Sequence, residues 1–290
     1  MKKKAFIYIV LAGLLWGTSG IFVHLLAPYG FSSLQMTSVR GTVSFAVIAI
    51  CAAIKDRKLF RIRPLDFVIC IAVGAMLYLA SACYYSSIQM TSVSTAVMLM
   101  YTAPVFVAAA SVLMFGEKMT RTKVAAIAVM LVGCCLVSGV MSGFKVNLWG
   151  VLLGLAAGIS YGSYNLFSKL AMRRGVAPLT VTVYGFLFMM LISFCVTSPV
   201  DTVSVAAKAP LETVPLLVGL GVCTFVIPYT LYTVGLRDMP AGTASALSIV
   251  EPMSATVYSI AFLSEPMTVY SAVGIVLVVG SVLMLSREDG

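Results

Sequence analysis

The sequence predicts an all-α polytopic membrane protein of ten transmembrane helices, arranged as two inverted five-helix repeats. Three observations carry that expectation. Of the 290 residues, 61% are hydrophobic and only 10% are charged, against about 25% charged in a soluble domain. Apolar stretches recur ten times along the chain, each near the roughly 20 residues that cross about 30 Å of hydrocarbon. The two halves of the chain also share identical residues at fixed separations of 145 and 148. A water-soluble globule and a disordered chain are both excluded, and the loops leave no room for a separate soluble catalytic domain.

Each span is read from an apolar run bounded by charges, Pro or Gly. Ala5–Ala27 follows Lys2-Lys3-Lys4 and is too long for a signal-peptide core, so it is expected to stay in the mature chain. Ser33–Ile54 carries Arg40 and stops at the basic stretch Lys55, Arg57, Lys58, Arg61 and Arg63. Phe67–Ile88 and Thr91–Phe115 follow, the latter containing Pro104 and ending at Gly116-Glu117-Lys118. Thr122–Met141 completes the first half. The second half comprises Leu148–Met172, Leu179–Val200, Val214–Leu236 with Pro228, Ala241–Leu263 with Glu251 and Pro252, and Met267–Ser286.

The net charge of +9 is distributed as an orientation signal rather than as a nucleic-acid-binding stripe. With the N-terminus inside, sixteen of the nineteen basic residues fall on cytoplasmic segments; Lys145 and Lys208 fall outside and Arg40 within a span. Both termini are therefore expected in the cytoplasm of a plasma-membrane protein, which an even number of spans requires. The seven cysteines all lie in apolar runs without metal-ligand spacing and read as small core residues; neither a metal nor a cofactor is expected.

The repeat is the most specific signal. A shift of 148 places Thr95, Ala96, Leu99, Pro104, Ser111, Glu117, Met119, Thr120 and Ile127 on Thr243, Ala244, Leu247, Pro252, Ser259, Glu265, Met267, Thr268 and Ile275 without a gap. A shift of 145 matches Ala12, Gly13, Gly17, Phe22 and Leu25 with Ala157, Gly158, Gly162, Phe167 and Leu170. The halves are divided at 1–145 and 146–290. Because each holds an odd number of spans, the second must enter the membrane upside down, a pattern associated with secondary transporters.

With these residues in view, the chain resembles the EamA branch of the drug/metabolite transporter superfamily. The resemblance rests on Gly13-Leu-Leu-Trp-Gly17, Arg40, Tyr101-Thr-Ala-Pro104, Gly116-Glu117-Lys118, Glu251-Pro252 and Ser264-Glu265-Pro266, with Ser264 standing where the family often has Gly. It implies an alternating-access carrier with a central basket formed by spans 1, 3, 4, 6, 8 and 9, and leaves the substrate open.

The candidate site residues follow from where polarity interrupts the apolar pattern. Glu251 lies near the middle of span 9, where a charged side chain costs about 2.5–3.5 kcal/mol on insertion scales, so it is expected to face protein or a wet cavity and to exchange a proton or meet an amine. Its repeat counterpart is Ala103. Arg40 cannot shed its charge; the resemblance puts its span at the basket's periphery, which favours a structural or gating role over contact with a substrate carboxylate. Pro104, Pro228 and Pro252 are expected to act as helix-break hinges that free the carbonyls of Met100, Thr224 and Ser248. Tyr84, Tyr101, Tyr161, Tyr232 and Tyr258, with Trp16 and Asn165, lie in or near span interiors rather than in a lipid-facing belt, and as a set favour an organic substrate. Gly13/Gly17 and Gly154/Gly158/Gly162 read as close-packing rows. Glu117 and Glu265 are expected to cap the span that follows each of them or to pair with nearby cations.

The expected activity is secondary active transport of small organic metabolites such as amino acids or amines, with protons as a candidate coupling ion and the bilayer as the setting. An organic-cation carrier with a tyrosine cage is the alternative within transport. A non-transporting sensor is a further alternative. An intramembrane enzyme is disfavoured: His24 is the only histidine, and no H-E-x-x-H or G-x-S-x-G arrangement with a histidine partner occurs. Nothing suggests nucleotide or nucleic-acid binding.

Overall fold

A computed structural model describes residues 2–91, 93–137, 147–263 and 267–289. The expected division between 145 and 146, and Ser264, Glu265 and Pro266, lie outside the described residues. The described chain is helical, with no strand.

Helix α1 (Lys2–Gly17) continues into α2 (Ser19–Leu26) through Thr18, whose backbone stays helical and whose hydroxyl donates to the Leu15 carbonyl at 2.7 Å. Helix α3 (Ser33–Lys55) begins with a reciprocal cap: Ser32 accepts from the Gln35 N–H, and Gln35 accepts from the Ser32 N–H. Helix α4 (Pro64–Met90) starts on a proline, whose missing N–H costs nothing in a first turn. The fourth apolar run is divided into α5 (Val93–Met100) and α6 (Ala103–Phe115), followed by α7 (Arg121–Val137).

In the second half, Asn147 caps α8 (Leu148–Arg173) by accepting from the Gly150 N–H. Helix α9 (Pro178–Val196) stops short of the expected Val200, because Pro199 holds Ser198 extended and opens a separate short helix, α10 (Pro199–Ala206). Helix α11 (Pro210–Gly221) passes through a wide π turn at Val222–Val226 into α12 (Ile227–Arg237). The ninth run is divided into α13 (Ala241–Leu247) and α14 (Val250–Leu263), and α15 (Val269–Asp289) closes the described chain.

The two divided runs behave alike. Pro104 sits in the first turn of α6, and the Thr102 N–H and hydroxyl both return to the Leu99 carbonyl. At the second break, Pro252 cannot serve the Ser248 carbonyl, but the Glu251 N–H does, at 2.9 Å. The expectation of a freed Ser248 carbonyl is corrected accordingly: a tighter turn replaces the lost bond. Pro228 follows the π turn, whose extra residue absorbs its ring.

Among the described residues, five of the ten expected spans form helices both long and apolar enough to cross a membrane: Lys3–Tyr29, Ser33–Ile54, Pro64–Met90, Pro178–Val196 and Pro210–Arg237. The divided runs are too short in each piece. Helix α8 has the length but carries Ser160, Tyr161, Ser163, Tyr164, Asn165, Ser168 and Lys169, so its polarity suits a helix surrounded by protein. Apolar side chains such as Leu113, Val132, Val196 and Val276 point outward, an apolar exterior that a lipid solvent would cover.

The halves interleave rather than standing apart. Helix α8 packs along α4 and against α5 and α6; α1 packs against α12 and α14; α6 meets α13, α7 meets α15, and α3 meets α9. Glycines permit the closest approaches. A Cβ on Gly13 would lie 3.0 Å from Val250 Cβ, and one on Gly17 would lie 2.7 Å from the Ala255 nitrogen. On the other side, a Cβ on Gly158 would lie 3.0 Å from the Met100 carbonyl oxygen and 3.2 Å from Thr102 Oγ1, and one on Gly162 would lie 2.6 Å from Phe106 Cδ1.

Candidate functional site

The two helix breaks bring together the residues that carry the chemistry. Tyr101 occupies the break between α5 and α6, and Glu251 the first turn of α14, just after the break in the other half. The Tyr101 hydroxyl donates to Glu251 Oε2 at 2.6 Å, the short length of a bond to a carboxylate. Among the described residues no Lys or Arg lies within ion-pair distance of Glu251. Glu251 is half-buried, between the buried Val250 and Pro252.

An aromatic wall from α1, α8, α9, the π turn and α12 stands around this pair. Trp16 lies 4.9 Å from Tyr229, 5.2 Å from Tyr232 and 6.4 Å from Tyr161, ring centre to ring centre. Tyr161 stacks on Tyr164 at 6.2 Å, and Tyr229 stands 5.6 Å from Tyr164, 4.8 Å from Phe225 and 5.9 Å from Phe186. The Tyr161 and Tyr232 hydroxyls are buried without a hydrogen-bond partner among the described residues, and Tyr164 meets the Thr233 hydroxyl at 3.3 Å.

Several polar atoms in this wall lack a protein partner. Trp16 Nε1 and both amide atoms of Asn165 are buried without a hydrogen bond. Each such atom costs about 1–3 kcal/mol if it stays unsatisfied.

Of the residues singled out from the sequence, the structure brings Trp16, Tyr101, Tyr161, Tyr232 and Glu251 into one region; Asn165 lies fully buried one turn after Tyr161 on α8. Tyr84 stands 5.5 Å from Tyr85 and within electrostatic reach of Glu251. Tyr258 instead pairs with Phe262 at 6.3 Å and, among the described residues, shares no ring contact with the wall. Pro104 and Pro252 flank the two breaks, and Pro228 precedes Tyr229. Arg40, expected at the periphery, reaches inward: its Nη1 donates to the Tyr85 hydroxyl at 2.6 Å and its guanidinium lies 5.4 Å from the centre of the Phe225 ring. Sequence reasoning passed over Tyr229, Phe225, Phe186 and Tyr85. Tyr229 was accessible to it, one turn before Tyr232 on the same helix face; the other three stand out only once the helices are placed.

A second polar cluster closes the end of the bundle where α8 finishes. Lys169, only 7% exposed, donates to the carbonyls of Leu236, Arg237 and Met239 at 2.6, 3.0 and 2.6 Å, serving the carbonyls left over at the end of α12. Glu117 accepts from the Ala241 and Gly242 N–H groups at 2.9 and 3.4 Å. This corrects the expectation that Glu117 caps the next span: the helix start it serves is that of α13 in the other half, and it stands near the Lys169 ammonium. Arg174 pairs with Asp66 at 2.6 Å, and Arg173 covers the Phe115 ring at 4.5 Å. Beside this cluster, hydrogen bonds from Arg237 hold the Asp238 carboxyl below the ordinary carboxylate range. Among the described residues, no group of three His, Cys, Asp or Glu is placed to hold a metal.

Comparison with known proteins bears on this geometry. The EamA-like transporter family matches twice, over residues 3–139 and again over 148–287. An "Uncharacterized transporter" of Archaeoglobus fulgidus is 28% identical over 97% of this chain and 95% of its own length. The "Uncharacterized transporter YwfM" of Bacillus subtilis is 24% identical over 97% of this chain and 93% of its own. The "Uncharacterized inner membrane transporter YicL" of Salmonella typhimurium is 22% identical over 99% and 96%. A solved crystal structure superposes on 100% of this chain and 98% of its own with a TM-score of 0.80 at 18% identity, a likeness of fold.

Proposed function

The chain belongs to the EamA-like transporter family in both of its halves, and on that premise we propose that it is a secondary active carrier of small organic metabolites, amino acids or amines, working by alternating access. The observation that carries the reading is the Tyr101–Glu251 pair at the two helix breaks, beside the aromatic wall of Trp16, Tyr161 and Tyr232. Glu251 takes the amine of the substrate or a proton in its place, and Tyr101 steadies the carboxylate while neither is bound. The aromatic faces hold the rest of an organic solute and exclude bulk water.

The two-repeat reading is supported by how contacts exchange between halves. Gly13 and Gly17 touch Val250 and Ser254; their counterparts at a shift of 145, Gly158 and Gly162, touch Thr102 and Phe106, which lie 148 before those same partners. Likewise α4 against α8 corresponds to α12 against α1. Inverted repeats that rock about a central site supply alternating access. The distribution of basic residues supports reading the Lys169 and Glu117 cluster as the cytoplasmic end of a plasma-membrane protein with both termini inside. There it closes the inner side, and opening requires Glu117 to leave Ala241 and Gly242.

Counterflow in proteoliposomes tests the proposal. Liposomes loaded with a mixture of unlabelled amino acids should accumulate the labelled mixture, and Glu251→Gln should abolish accumulation or its response to a pH gradient. Unchanged accumulation and pH response in that variant would end the carboxylate's role.

A second reading, a carrier of quaternary or other organic cations, is favoured by the rings gathered beside Glu251, since aromatic faces attract cations. Tighter binding of choline than of zwitterionic amino acids would select it.

A further inference from the structure

We infer that Arg40, with Tyr85 and Phe225, forms an anion-accepting subsite of the same central site, which takes the carboxylate of a substrate whose amine faces Glu251. The inference rests on the carrier reading above and adds a second pole to it.

The side chain of Arg40 is not disposed as an ordinary structural arginine. It is 7% exposed, and its Nε is buried without a hydrogen-bond partner. Among the described residues its side-chain hydrogen bond goes to the Tyr85 hydroxyl and its face lies over the Phe225 ring, both neutral groups. Among the described residues, no carboxylate lies within ion-pair distance of it. A guanidinium stays charged, so the cluster holds a permanent cation with a donor still to be used. Seven residues along α3 from Ser33, it lies about 10 Å inside that end of the helix.

The position is continuous with the Glu251 wall. Phe225, over which the guanidinium lies, stands 4.8 Å from Tyr229, which stands 4.9 Å from Trp16. Tyr85 neighbours Tyr84, which is within electrostatic reach of both Arg40 and Glu251. The Arg40 charge also acts on Glu251 from beyond ion-pair distance. One cation and one anion, held apart along an aromatic wall, match the two ends of a zwitterion. The planar fork of Arg suits a carboxylate. A purely cationic substrate would meet Arg40 as a like charge, so the subsite also discriminates against simple amines.

Binding in dodecyl maltoside, which carries no phosphate headgroup, separates a substrate carboxylate from a lipid phosphate. The probes are three matched sets: phenylalanine, phenethylamine and 3-phenylpropionate; leucine, isopentylamine and 4-methylpentanoate; serine, ethanolamine and 3-hydroxypropionate. In at least one set the zwitterion should outbind its amine. Arg40→Gln should then weaken that zwitterion about tenfold or more while leaving the amine unchanged or tighter, and Arg40→Lys should restore part of the loss. Retained amine binding shows that the variant is folded. The subsite is refuted if no zwitterion outbinds its amine, or if Arg40→Gln weakens zwitterion and amine alike or neither. Glu251→Gln keeps the two claims separable: loss of amine binding in that variant supports the carrier reading whatever Arg40 does.

Discussion

Gly17→Ala is expected to be costly, and Gly20→Ala, three residues further on, is not. A Cβ on Gly17 would lie 2.1 Å from Ser254 Oγ, 2.7 Å from the Ala255 nitrogen and 2.9 Å from Ser254 Cβ, whereas a Cβ on Gly20 meets nothing within 4 Å. The Ser254 hydroxyl is held by the Glu251 carbonyl at 2.9 Å and the Gly13 carbonyl at 3.2 Å, and the Ala255 contact is backbone, so neither can yield cheaply. Relief requires α1 and α14 to separate, a strain of about 1–3 kcal/mol. At Gly20 the new methyl should instead stabilise the helix by roughly 0.5–1 kcal/mol. The separation at Gly17 also moves Trp16 away from Glu251, so binding and flux should fall with stability. Gly17→Ala/Ser254→Ala removes the shortest contact but leaves the backbone one, and should recover only part of the loss. Thermal unfolding of the purified variants, paired with counterflow, reads all three. Equal stability of Gly17→Ala and Gly20→Ala would refute the α1–α14 packing on which the site's geometry depends.

Tyr101→Phe removes the hydrogen bond to Glu251 and, at about 1.5–3 kcal/mol for a bond to a charged group, should lower counterflow at least tenfold without loss of fold, checked by melting. Lys169→Met strands three carbonyls at the end of α12 and should destabilise the protein by roughly 3 kcal/mol or more, read by thermal unfolding. At the Asp66–Arg174 pair, the Asp66 side chain is 3% exposed and that of Arg174 38%, so Arg174→Ala should cost more than Asp66→Asn. The first leaves a carboxylate buried and unpaired, the second a solvated guanidinium. Glu117→Gln should weaken the hold on α13 and raise accessibility from the cytoplasmic side, measured by thiol labelling at the central site.

The order of the helices and their interruptions could be read from the sequence because both follow from local chemistry. Apolar runs, the prolines at 104 and 252 and the matched glycines are visible without neighbours. Glu251, Tyr101 and Trp16 stood out because polarity inside an apolar run is costly wherever the chain goes. What the sequence could not supply was partnership. Glu117 looked like a cap for the helix after it, yet the N–H groups it serves belong to Ala241 and Gly242, more than a hundred residues away. The family resemblance put the span of Arg40 at the periphery, but the long side chain reaches a ring on the π turn. The end of α9 and the start of α10 at Pro199 were legible in principle, since Ser198 is restricted by the proline, but the apolar run masked the stop.

Alternating access requires that the Glu251 site open to each side of the membrane in turn. Ser248 lies at the second break, and Ser248→Cys, in a background with the seven native cysteines replaced, puts a near-isosteric thiol there. Its labelling by a membrane-impermeant methanethiosulfonate should be measured in right-side-out and in inside-out vesicles, with and without the amino acid found to bind. The expected result is labelling from both faces, slowed by substrate at each. Labelling from neither face, or from one face alone whatever the substrate, would contradict alternating access at this site.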